Sequence, residues 1–270
     1  MPVQTPGAII MTEPQSYFHA ALVKDQFTRQ ARGFSESPEL HNDAVLSLLV
    51  KAARPEPSDR ALDVACGPGT VVAALSSHVA SVDGLDATEA MLREAKALAE
   101  CKALANARFR RGSVYALPYP ADSFQIVTCR FAFHHFEDPK AAFSEMARVS
   151  SRGARIILCD AIAPDQKEKA DAFNEMERFR DPSTVEFRTV GFLRHLFIAA
   201  GLGEPSVEQF QIPYVAQELV ARSFPANGDR QGLLGLIEAS VEGDRLGMNA
   251  RRTANGIRIA FQGVVLSARR

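Results

Sequence analysis

Between residues 60 and 161, short apolar, β-rich runs alternate with stretches of helical periodicity, the order expected of βαβ units around a parallel sheet. Strand candidates are Arg60–Ala65, Val79–Leu85, Ala107–Arg111, Phe124–Arg130 and Arg155–Cys159. Helical stretches fall between them at Thr70–Ser77, Thr88–Leu104 and Pro139–Val149. In the second of these, Met91, Ala95, Leu98 and Lys102 follow helical spacing, and Thr88 stands where an N-cap is wanted. Before the sheet, Ser16–Arg54 reads as helices broken near Gly33 and Pro38. After it, Asp165–Arg180 is an amphipathic helix with Phe173, Met176 and Phe179 on one stripe, stopped by Asp181-Pro182. Thr189 then caps a helix that ends before Gly201. Val207–Val215 and Gly256–Ser267 read as two more strands, separated by helical character over 216–254. The pattern predicts a doubly wound α/β sheet, mainly parallel with a terminal antiparallel strand. It divides into an N-terminal helical cap over 1–58 and an α/β domain over 59–270, with lid insertions near 165–188 and 216–254.

Composition narrows the function. At 270 residues the chain suits one large domain, and 46% hydrophobic with 23% charged residues can fill a substantial core. Lys and Arg total 31 against 32 for Asp and Glu, so no global field draws the chain to nucleic acid or an anionic membrane. The first residues hold an apolar run only from Gly7 to Met11 with no basic flank, and a cytoplasmic location without membrane attachment is expected. Cys66, Cys101, Cys129 and Cys159 are 35, 28 and 30 residues apart, too scattered for a disulfide framework or a zinc site. His19, His41, His78 and His195 have no matching ligand cluster either, so no metal is expected.

The densest chemistry is Asp63-Val64-Ala65-Cys66-Gly67-Pro68-Gly69-Thr70, after an apolar strand and before a helix. Small residues at 65, 67 and 69 let the backbone turn tightly and approach a ligand. The next strand ends in Asp86, 23 residues beyond Asp63, the separation at which an acid on the second strand receives both hydroxyls of a ribose. Asp83 competes for that role, but Asp86 stands nearer the carboxyl edge. A dinucleotide fingerprint would want Gly-x-Gly-x-x-Gly, whereas Gly69 is followed three residues on by Val72. An acid at the loop entrance suits a ligand with an ammonium tail better than a pyrophosphate, and S-adenosylmethionine is such a ligand.

With these residues in view, Ala61 to Asp165 resembles the class I S-adenosylmethionine-dependent methyltransferases. It is most similar to the type 11 group that contains the ubiquinone and menaquinone biosynthesis methyltransferases. The blocks that carry the resemblance run in order: Leu62 to Gly69, Gly84 to Leu92, Leu117 to Phe124, Phe133-His134-His135-Phe136-Glu137-Asp138-Pro139, and Glu145 with Arg148-Val149. Glu177 to Ser183 is similar to a segment after the fifth strand in some relatives. The resemblance implies a Rossmann-like fold and S-adenosyl-L-methionine as cofactor. It implies that Ala65, Gly67 and Gly69 line the methionine moiety, Asp63 supports its ammonium, Asp86 binds the ribose, and Ala87 and Met91 pack beside the adenine. Gly112, Ser113 and Val114 stand where the family often has an acid for the adenine amino group, so here a neutral hydroxyl is offered instead. Arg130 frames the donor pocket through its backbone.

Methyl transfer from a sulfonium is an in-line displacement, so the protein chiefly aligns the reactants and excludes water. His135 and His134 follow the fourth strand and are the candidate bases, titrating near neutral pH, with His135 turned to the acceptor. The expected partner is a small, apolar or aromatic methyl acceptor, and the expected state a monomer or homodimer. The rivals are a nucleic-acid or protein methyltransferase, a cyclising protein that keeps the same donor, and a nicotinamide-dependent oxidoreductase.

Overall fold

A computed structural model describes residues 13–35 and 43–270. Expectations for 1–12 and 36–42, including the break near Pro38, lie outside the described residues. Two helices precede the sheet, α1 (Glu13–Ser35) and α2 (Asp43–Ala53), and α1 runs on through Gly33 without a break. The strands are β1 (Arg60–Val64), β2 (Ser81–Asp86), β3 (Ala107–Arg111), β4 (Phe124–Arg130), β5 (Ser150–Ala161), β6 (Ser206–Val215), β7 (Arg251–Thr253) and β8 (Gly256–Arg269). Between them lie α3 (Thr70–Ser76), α4 (Glu89–Cys101), α5 (Pro139–Val149), α6 (Lys167–Arg180), α7 (Val190–Ala199), α8 (Ala216–Arg222) and α9 (Arg230–Ala239).

The sheet order is β3-β2-β1-β4-β5-β8-β6, with β7 added on β8. β1 to β5 are parallel; the apolar runs of β1, β4 and β5 are buried on both faces, as doubly covered parallel strands must be, whereas the edge strand β3, with three arginines, is largely exposed. β8 is antiparallel to both neighbours, so the later strand in sequence fills the gap between β5 and β6. The chain reverses its winding at β1 and β4, which opens a crevice at their carboxyl ends.

Caps follow local chemistry. Asp138 accepts from Ala141 N–H at 2.9 Å ahead of Pro139, and Thr189 accepts from Phe192 N–H at 3.3 Å. Thr88 occupies the N-cap of α4 without a side-chain cap bond; its own N–H donates to Asp86 Oδ1 at 2.8 Å. Glu145 and Arg148 on α5 clamp the loop before β4: Glu145 accepts from Leu117 N–H, while Arg148 donates to the carbonyls of Leu117 and Tyr119.

The apolar stripes of the segments expected as lids turn toward the sheet, while Asp181 and Phe224 within them touch α1. Phe173, Met176 and Phe187 join Leu219, Val220, Leu233 and Ile237 against Ile257, Ile259 and Phe261, forming a second apolar core on the β8–β6 side of the sheet. Their stripes are satisfied there.

Candidate functional site

A cavity of about 650 Å³ lies between the carboxyl ends of β1 to β4 and α1, within the usual range for small-molecule sites. Its floor and walls come from the turns after β1, β2, β3 and β4. The roof is α1, which presents His19, Val23 and Phe27 at successive i+4 positions. Neither 165–188 nor 216–254 contributes a wall. Phe27 meets the His135 ring edge-on at 4.9 Å, and His19 Nε2 lies 2.9 Å from the His135 carbonyl oxygen.

The turn after β1 spends its amides internally. Cys66 N–H donates to the Leu85 carbonyl at 2.9 Å, Gly67 N–H to Asp86 Oδ2 at 2.9 Å, and Gly69 N–H to the Cys66 carbonyl at 3.0 Å. Gly67 has φ of +52°, and a Cβ there would meet nothing within 4 Å, so its Cα side faces open cavity. Gly69, at φ of +84°, presses on α4, where an added Cβ would lie 3.0 Å from Ala95 Cβ. Ala65 and Phe131 are held at φ of +56° and +53°, and both line the cavity. Left-handed backbone at non-glycine residues costs on the order of 1–3 kcal/mol and collects at functional sites.

Two carboxyls sit under this turn. Asp63 is buried and accepts from Thr128 Oγ1 at 2.7 Å; loss of solvent raises its pKa to about 7. Asp86 is also raised by burial, opposed by the N–H groups of Thr88 and Gly67. Asp83 is half-buried mid-strand and does not reach the cavity. Arg130 lines the cavity with its guanidinium 4.6 Å over the Phe131 ring.

After β4 the two histidines part. His134 stacks on Phe187 at 4.1 Å, and its Nδ1 lies 2.8 Å from Asp160 Oδ1, away from the cavity. His135 lines the cavity, with Nδ1 2.9 Å from the Ser183 carbonyl oxygen. Burial, then the neighbouring His134, lowers the His135 pKa to about 3. The expectation of titration near neutrality is thereby corrected: a desolvated imidazole between a ring and a carbonyl stays neutral.

A family model described as a methyltransferase domain matches residues 62–158. An uncharacterized methyltransferase of Bacillus subtilis, YcgJ, is 33% identical over 217 residues, spanning 77% of this chain and 86% of that protein. This chain belongs to the methyltransferase family. The solved structure of YcgJ aligns with a TM-score of 0.76 at 29% identity, covering 84% of this methyltransferase and 98% of that chain. A structure from Bacillus halodurans aligns with a TM-score of 0.77 at 25% identity over 83% of this chain and 97% of that one. The demethylmenaquinone methyltransferase of Deinococcus radiodurans is 38% identical over 107 residues, which are 39% of this chain and 44% of that protein.

In this methyltransferase the cavity brings together Asp63, Ala65, Gly67, Asp86, Ala87, Met91, Gly112, Ser113, Val114, Arg130 and His135. Gly69 supports the turn from behind, and His134 stands outside. Sequence reasoning missed the roof: His19, Val23 and Phe27 carry an i+4 stripe, but nothing in that stripe says which sheet edge the helix covers. It also missed Tyr115, whose hydroxyl accepts from Glu137 N–H at 3.0 Å and ties the turn after β3 to the turn after β4. Among the described residues no side-chain cluster is placed to hold a metal ion, and no helix is long and apolar enough to cross a membrane.

Proposed function

We propose that this methyltransferase binds S-adenosyl-L-methionine along the turns after β1, β2 and β3 and methylates a small, apolar or aromatic molecule held beneath α1. The observation that carries the reading is the turn after β1. Its amides at 66, 67 and 69 are already bonded within the protein, so they offer no cradle to a pyrophosphate. What faces the cavity instead is a pair of carboxyls, Asp63 and Asp86. A carboxylate oxygen that has accepted one backbone N–H still has a lone pair for a ligand hydroxyl, and an acid suits a cationic amine. The donor set fits an adenosyl amino acid with a free ribose. When bound, that group supplies a methyl carbon already activated by a cationic sulfur.

The chain's own contribution is alignment and exclusion of water. Asp86 would hold the ribose diol, Asp63 the ammonium, Met91 and Val114 the adenine faces, and Ser113 its edge. Phe27, Phe131, Phe136 and Val23 would wall the acceptor. A neutral imidazole with pKa near 3 is a weak base, so His135 would orient the acceptor by hydrogen bonding, and proton removal would fall to solvent or to the acceptor's own acidity. His134 would act by packing. The absence of a charge excess and the roof that α1 lays over the cavity favour a free small molecule over nucleic acid. Calorimetry with S-adenosylhomocysteine, followed by turnover of the methyl donor against a panel of phenols, enols and amines, tests the reading. No binding of S-adenosylhomocysteine would reject it. Binding without methyl transfer to any acceptor would favour a cyclising activity on the same donor site.

A further inference from the structure

The segment Glu177 to Ser183 carries more polar chemistry than a connection needs. Asp181 is buried, and its Oδ1 accepts from Ser183 Oγ at 2.5 Å and from Ser183 N–H at 2.9 Å. Its Oδ2 accepts from Gln30 Nε2 of the roof helix at 3.1 Å. Gln30 in turn donates to Gln26 Oε1 at 3.0 Å. Behind it, Arg180 forks onto the fully buried Glu177 carboxylate at 2.7 to 3.0 Å. On the cavity side, Ser183 meets His135 Nδ1 twice: through its carbonyl oxygen at 2.9 Å and its hydroxyl oxygen at 3.2 Å.

These contacts decide where the imidazole hydrogen sits. A carbonyl oxygen can only accept. The Ser183 hydroxyl has one hydrogen, and the 2.5 Å bond commits it to Asp181. Both neighbours of Nδ1 are therefore acceptors, so Nδ1 must carry the hydrogen and the ring's lone pair is left on Nε2. We propose that Asp181, acting through Ser183, is a positioning residue that fixes His135 in the Nδ1–H form. The cavity then offers an acceptor nitrogen and selects methyl acceptors that present an O–H or N–H. The selection rests on the methyl-transfer reading of the cavity; the ring state does not.

A carboxylate kept ionised is needed for this, and Asp181 is. Burial opposes ionisation, and against it stand the His135 ring whenever it is charged, the Arg180 guanidinium and the hydrogen bonds from Ser183 and Gln30; the last three act beside a neutral ring too and hold the carboxyl below its ordinary range. The recognition also has a direction in time. An acceptor hydroxyl, or a nitrogen with a single hydrogen, that has exchanged that hydrogen for a methyl group no longer donates to Nε2, so its product binds less well than substrate.

The test reads the ring first and the chemistry second. In full-length protein with ¹⁵N-labelled histidine, long-range ¹H–¹⁵N spectra, assigned with His135→Gln, should show protonated Nδ1 and bare Nε2 from pH 5 to 9. Asp181→Ala frees the Ser183 hydroxyl to donate, and the Nε2–H form should appear. Asp181→Asn keeps an acceptor oxygen and should restore the wild-type ring. An Nε2–H ring in the wild type, or no change in Asp181→Ala, overturns the assignment. With S-adenosylhomocysteine present, 2-naphthol should bind about tenfold more tightly than its methyl ether, the effect of one hydrogen bond. The preference should vanish in Asp181→Ala while S-adenosylhomocysteine affinity holds. Equal or undetectable binding of the two probes overturns the recognition. Failure of S-adenosylhomocysteine to bind would strike the donor reading alone and leave the ring result standing.

Discussion

Asp63→Asn separates stability from function at one atom pair. Burial raises the Asp63 carboxyl from its ordinary 3.8 to about 7, which costs the ionised form about 4 kcal/mol. The sign follows from proton binding. Between pH 3.8 and about 7 the folded protein holds the proton that the unfolded chain has released, so stability falls as pH rises through that window. Above about 7 the whole penalty is present. Asparagine removes the charge, and its Oδ1 can still accept from Thr128 Oγ1. Its amide hydrogens lack a matched partner, which costs about 1–3 kcal/mol. The remainder, about 1–3 kcal/mol, should raise Tm at pH 8.5 by about 2–10 °C for a chain of this size. At pH 4.5, where the wild-type carboxyl is already neutral, the gain should vanish or reverse. Paired calorimetric scans at the two pH values measure both. A Tm difference of the same size and sign at each pH would refute the reasoning, because it would mean that Asp63 is not held against ionisation. The same variant should bind S-adenosylhomocysteine more weakly at pH 8.5, since the charge that destabilises the apo protein is the one offered to the ligand's ammonium.

Other consequences are direct. Asp86→Ala should weaken S-adenosylhomocysteine by at least about tenfold, from two charge-assisted hydrogen bonds and from the Gly67 and Thr88 amides it leaves without a partner; an unchanged Kd in a folded variant would place the ribose elsewhere. Turnover should show no histidine limb between pH 5 and 9, because His135 is neutral throughout; a limb near 6.5 that disappears in His135→Gln would show that it titrates after all. Phe27→Ala should raise the acceptor KM about tenfold or more with donor affinity nearly intact, while equal loss on both would put α1 over the donor. Hydrogen exchange with S-adenosylhomocysteine should add protection in α1, with α6 and α9 little changed because their apolar faces already pack in the second core.

The central strands were readable because parallel strands covered on both faces must be largely apolar runs, and β4 begins and ends where its run does; β3, an edge strand of alternating Arg and apolar residues, was readable from that alternation. β5 extends further at both ends than its apolar run, since Ser150 pairs with Phe124 and Ala161 with Gly263 through backbone alone. The place of α1 was not readable. Its inward face includes Gln26 and Gln30, which in sequence look like solvent-facing residues and in the fold reach the Phe224 carbonyl and Asp181. The acids and glycines of the site were legible from spacing, because a βα turn and the end of the next strand are close in any such sheet. The protonation of His135 was not, because it depends on Ser183, 48 residues away. Apolar stripes on α6 and α9 showed that those helices must cover something; they could not say whether that was a ligand or β8.

The position of β8 sets a timetable for synthesis. Among the described residues β6 has no neighbour in the sheet except β8, and β8 is made several tens of residues later. At ordinary elongation rates of about 5–20 residues per second, the strand Ser206–Val215 waits roughly 3–11 seconds with both backbone edges unpaired. During that interval β5 also presents a bare edge, and α6, α8 and α9 carry apolar faces whose partner, the stretch through Ile257, Ile259 and Phe261, has not yet been made. The nascent chain therefore holds a finished half, β1 to β4 with the cavity turns, beside an uncovered one, a state that a holding chaperone can recognise and that a stalled ribosome would prolong.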